Sequence, residues 1–352
     1  MIGNGGKMEV YYSASLWEGP RGKTGTKQVL NWSFNHLGRK RIIPCAYRFS
    51  KGIVFDIITI IEKEELEAFA KKCEGINEKE LSQNQRRQLE QEHPYKEVSL
   101  AEIWINGKRI ERGYSSTGSI QMPFLHDSDE LKPIKSAYKR NLKHTSCFAC
   151  QRFCVPYPKE AKARMRIRRQ ERGDVINTLK LVTYEEQIFY PIGQRFQLSD
   201  LDKTKEIKFK HPTTEIEHTL YFQIEESVEL PEQAMLGEKF YVTSATYEIV
   251  PALNEKERLE FDSAISYKRK ATHTYEPESA SSIGIIGGAS GPTSIFLAGK
   301  GEELPKGPHG VTLHTCFSKI STDKGESAQF ILQGIHITNH PKESYEYKRK
   351  GM

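Results

Sequence analysis

Four side chains within a short stretch could hold a metal: His144, Cys147, Cys150 and Cys154, spaced H-x2-C-x2-C-x3-C. One imidazole and three thiolates are the ligand types of a closed tetrahedral zinc site. Closing such a site requires a turn inside the motif. In one extended strand Cys147 points away from Cys150 and Cys154, and no single ion reaches all three. The segment has neither Gly nor Pro before Pro156. Two readings stand: zinc held at a turn, or buried thiols on a strand. His314 with Cys316, and His336 with His340, are shorter pairings of the same residue types.

Just beyond, Lys159 to Arg172 reads KEAKARMRIRRQER. As a helix it would set Arg164, Arg166, Arg168 and Arg169 where they could follow a phosphate backbone. It lacks the interleaved aromatic residues of a single-strand binder, and a solvated basic face is the plainer reading. Combined with the zinc reading, it makes a zinc-containing nucleic-acid binder one alternative function.

Two further patterns fall short of a catalytic motif. Gly22-Lys23-Thr24 ends like a phosphate loop, but Trp17 stands where G-x-x-x-x-G-K-[ST] begins, and a strand pattern follows where a helix should start. Gly288-Ala289-Ser290-Gly291-Pro292 misses the second glycine of G-x-S-x-G by one place. No catalytic residue is therefore assigned, and no cofactor is predicted beyond the zinc of the first reading.

The run SSIGIIGGASGPTSIFLAGKG, residues 281–301, is apolar and glycine-rich within an otherwise polar chain. Gly284, Gly287, Gly288 and Gly291 allow positive φ or close backbone approach, and their spacing does not match G-x-G-x-x-G. Pro292 suits the first position of a short helix over TSIFLA, beginning at Thr293; a buried strand is the alternative. An ordinary tight connection and a ligand or docking segment at Gly284, Gly287, Gly288, Ser290, Gly291, Pro292 and Thr293 are both open.

Residues 281–298 of this run resemble the glycine-rich segment of the β subunits of sodium-ion-translocating decarboxylases. Ser290 stands where that family has aspartate. The resemblance implies a second alternative, a component or accessory of such a decarboxylase, with sodium as its ion if the motif carries function.

Fifty-two Lys and Arg against 46 Asp and Glu leave a net charge of +6, spread thinly enough that nucleic acid is not the expected partner. Sixteen Tyr and sixteen Phe supply material for folded cores. No run of eighteen apolar residues occurs, so no membrane insertion is expected. The first residues carry no signal-peptide pattern, Met8 is an alternative start, and six Cys make no dense disulfide framework. Soluble and cytoplasmic is the resulting expectation.

The elements are mostly strands. VYYSASLWE, QVLNWSFNHL, IIPCAYRFS and GIVFDIITII come first, the last a continuous apolar run fit for a strand covered on both faces. A helical insert near 62–93 follows, with a stripe of Leu66, Phe69, Ala70 and Cys73, a stop at Gly75 and an N-cap at Asn77 for a second helix. Asn106-Gly107 between IWI and KRI predicts a type I′ hairpin. Residues 115–140 read as loop. From Val175 onward short alternating strands recur at sandwich-like spacing. The fold class expected is mostly β, with an α+β domain over 1–173, a β-sandwich-like domain over 174–338 and a solvated tail over 339–352. The leading functional expectation is a soluble, non-enzymatic protein that binds a protein partner.

Overall fold

The computed structural model describes residues 8–17, 22–77, 79–110, 113–124, 131–158, 174–199, 204–229, 240–262, 265–266, 305–322 and 327–349. The protein is mostly β, built from several antiparallel sheets. It divides into two compact units. The first combines Met1–Glu186 with Asn339–Met352, and the second, Gln187–Thr338, is inserted in sequence between those two pieces.

In the first unit, β1 (Thr26–His36), β2 (Arg39–Arg48) and β3 (Gly52–Ile60) run as an antiparallel meander. The helices α1 (Lys63–Cys73) and α2 (Gln83–Glu92) follow. Then come β4 (Leu100–Ile105), β5 (Lys108–Ile110), β6 (Ser115–Gln121), α3 (Lys132–Ala137), β7 (Phe148–Pro156) and β8 (Thr178–Thr183). The last strand of the chain, β18 (Ser344–Lys348), returns to this unit. One sheet has the order β1-β2-β3-β7-β6 and another β18-β8-β4-β5.

Side chains alternate across β3, so Val54 and Ile58 enter one apolar cluster while Ile53, Phe55 and Ile57 enter another. The first cluster is closed by Met8–Leu16 and by Leu131, Ile134 and Tyr138 around α3. The second is closed by Ile103, Leu179 and Leu181 from the other sheet. Both faces of β3 are therefore dry, as its unbroken apolar run requires.

Several local expectations need correction. The second helix begins at Gln83, not after Asn77. Ser82 and Gln85 form a capping box there, while Asn77 accepts from the Lys79 N–H in a local turn at 3.2 Å. Residues 115–140 hold β6 and α3 rather than loop alone. The strand SSTGSIQ has little apolar content because its place is set by backbone pairing with β7. Residues 344–348, expected in a solvated tail, pair with β8 from Ser344↔Val182 to Lys348↔Thr178. Beyond the boundary expected near residue 173, β8 pairs with β4 of the first unit.

The second unit contains β9 (Glu186–Ser199), β10 (Lys205–Lys210), β11 (Glu217–Glu229), β12 (Tyr241–Val250), β13 (Glu257–Phe261), β14 (Ile265–Ser266), β15 (His314–Phe317), β16 (Ile320–Ser321) and β17 (Ser327–His340). One sheet has the order β10-β11-β12-β16-β14, with β15 also paired to β12; the other is β13-β17-β9. A single apolar cluster draws Phe222 and Tyr247 from the first sheet and Phe196, Phe330 and Leu332 from the second. Among the described residues, no helix is long and apolar enough to cross a membrane.

Candidate functional site

The candidate metal ligands are not brought to one point. His144 is exposed in the turn before β7. Cys147 packs with Ile61 and Leu66, whereas Cys150 and Cys154 lie on the opposite face of the strand, with Val54, Ile58 and Tyr138. Burial pushes the Cys150 and Cys154 thiols up, away from the thiolate form a metal needs. Among the described residues, no three His, Cys, Asp or Glu side chains are grouped to hold a metal ion. The glycine-rich segment with Gly284, Gly287, Gly288, Ser290, Gly291, Pro292 and Thr293 lies outside the described residues. So does the basic stretch with Arg164, Arg166, Arg168 and Arg169.

The site that does assemble is a cavity of about 660 Å³ in the second unit. Its walls come from β12, β13, β15 and β17 and from the connections at 252–255 and 311–313. Strand register builds it. Tyr247 and His314 stand directly opposite each other across β12 and β15, with ring centroids 5.3 Å apart at 26°. Phe261 of β13 approaches Tyr247 at 5.2 Å and 56°. Alternation along β13, an edge strand, sets Glu257, Leu259 and Phe261 on one face and Arg258 and Glu260 on the other.

The polar groups of the cavity are held in defined states. Glu257 is 9% exposed, and its Oε2 accepts from the Asn254 N–H at 3.1 Å. Its Oε1 lies 3.5 Å from Nε2 of the buried His211. His211 Nδ1 accepts from the backbone N–H groups of Thr213 and Thr214 at 3.3 and 3.2 Å, so its proton sits on Nε2 and faces Glu257. That Nε2 makes no hydrogen bond of ordinary geometry.

Around the edge of β13, His336 Nε2 donates to Glu260 Oε2 at 2.5 Å, with the Phe189 ring 5.1 Å from the imidazole. His314 is an exposed residue of β15, and partial burial of its imidazole pushes it below its ordinary range. The Cys316 thiol, beside His314 on β15, is pushed well up by burial and is not a nucleophile.

Sequence reading had noted His314, Cys316 and His336 as residue types that ligate metals, and the fold places all three on the cavity wall. It had no signal for Tyr247, Glu257 or Phe261. Each is one member of an ordinary alternating strand, and only pairing between distant strands makes them neighbours. No protein-family model matches this chain, and neither does any curated protein or solved structure.

Proposed function

We propose that this chain is a non-enzymatic binding protein whose second unit takes a small, largely apolar ligand in the cavity between β12, β13, β15 and β17. The observation that carries the reading is the cavity itself. Its volume of about 660 Å³ falls within the range of small-molecule sites, and its walls mix apolar and aromatic side chains with a few polar groups. In this reading the two sheets of the second unit are the layers of a β-sandwich packed over one core. A binding role also agrees with the chemistry of the wall. The buried Cys316 is protonated, and the His336–Glu260 pair orients an imidazole with no activated Ser or Cys described beside it.

A thermal-shift screen of chemically diverse small molecules tests this. At least one compound is expected to raise the melting temperature of the whole protein in a saturable way. Leu253→Trp, which places bulk in the cavity wall, is expected to abolish that rise while leaving the far-UV circular dichroism unchanged. A screen without any stabilising compound, or one whose hits act equally on Leu253→Trp, removes the reading. Turnover of a hit that disappears in His336→Gln would replace binding by catalysis.

A further inference from the structure

The charge and the rings of the cavity together select a ligand class, an inference that rests on the binding reading above. Three aromatic rings, Tyr247, Phe261 and His314, meet within 5.2 and 5.3 Å of one another through Tyr247. Glu257, four residues before Phe261 on β13, lines the same cavity, so one wall carries both a carboxylate and ring surfaces. Among the described residues, Glu255, Arg258 and Glu260 also line the cavity, Arg258 and Glu260 from the other face of β13, where Glu260 is paired with His336. A ring face carries negative quadrupole density, and a carboxylate is negative; both are matched by the same partner, a cation with an apolar body.

We propose that the cavity takes a small organic cation of the alkylammonium or arylammonium class, with its charge toward Glu257 and its apolar body against Tyr247, Phe261 and His314. The neighbouring groups agree with this assignment. His211 turns its Nε2–H rather than a lone pair toward Glu257, at 3.5 Å. An anionic ligand, by contrast, would meet the Glu257 carboxylate, with Arg258 on the other face of β13.

Isothermal titration of the whole protein with three phenyl probes of similar size tests the assignment: benzyltrimethylammonium, benzyl alcohol and benzoate. Benzyltrimethylammonium is expected to bind saturably and at least about tenfold more tightly than benzyl alcohol, with benzoate weakest. Glu257→Gln, which keeps the size and removes the charge, is expected to weaken the ammonium about tenfold and to leave benzyl alcohol unchanged. Benzoate or benzyl alcohol binding as tightly as the ammonium overturns the cation assignment and leaves the binding cavity standing. Binding of none of the three, alongside an empty thermal-shift screen, overturns both. The comparison among probes uses the unaltered protein, so it decides the matter even if Glu257→Gln does not fold.

Discussion

Asp56 lies at 0% exposure in the middle of β3, a position that every apolar neighbour argues should be hydrophobic. Its carboxylate is fully engaged. Arg152 of β7, directly opposite in register, donates from Nε to Oδ1 at 2.7 Å and from NH2 to Oδ2 at 2.9 Å. Tyr138 donates to Oδ2 at 2.6 Å. Burial opposes the charge on Arg152, but the Asp56 carboxylate outweighs it and holds the guanidinium above its ordinary range. Removing one partner strands a buried charge, whereas removing both removes the problem. Asp56→Asn is therefore expected to lower stability by about 3–5 kcal/mol in urea unfolding. The double replacement Asp56→Leu with Arg152→Met should cost clearly less. A double variant that loses as much as the two single variants added together would show that the pair is not coupled. Neither Asp56 nor Arg152 belongs to a spaced sequence pattern; they meet because β3 and β7 pair in this register.

At the scale of elements, the contrast between the Asn106-Gly107 hairpin and β18 shows what a local sequence can carry. Asn106 at φ 50° and Gly107 at φ 78° make the tight turn their types demand, joining Ile105 to Lys108. No distant contact is needed to read that turn. β18 is different. SYEYK contains only two apolar-bodied residues, and its alternation becomes meaningful only against β1. There Tyr345 meets Phe34 at 4.3 Å, Tyr347 meets Trp32 at 6.0 Å, and the Nδ1–H of the buried His36 donates to Glu343 at 3.1 Å. Deleting Ser344–Met352 is expected to cost the first unit about 2–4 kcal/mol, from two part-buried aromatic side chains and a lost strand edge. Tryptophan fluorescence of Trp32 during unfolding would follow the loss. A midpoint unchanged by the deletion would return this segment to the status of a solvated tail.

For the molecule as a whole, the insertion of one unit within the other sets a clear expectation. Every member of the apolar cluster of the second unit lies between Phe196 and Leu332, inside Gln187–Thr338. Near the ends of that segment, the Gln187 side chain donates to Thr338 Oγ1 at 3.4 Å, so its two ends lie side by side. A segment with its own core and adjoining ends folds by itself. Residues 187–338 expressed alone are expected to show a cooperative unfolding transition and a β-type circular dichroism spectrum. A non-cooperative melt would mean that this core depends on the rest of the chain.

The order of amino acids by itself determined the strand-rich class, the dry strand at β3 and the Asn106-Gly107 turn. Each of these depends on residues within one turn or one strand of each other. It also held the geometric objection to a zinc site, since alternation alone separates Cys147 from Cys150 and Cys154. Only the tertiary structure decided that β18 closes the first unit, that Asp56 faces Arg152, and that Tyr247, Glu257, Phe261 and His314 surround one cavity. Those outcomes depend on which distant strands pair and in what register, and that choice is made by the joint burial of whole faces, which no local pattern encodes.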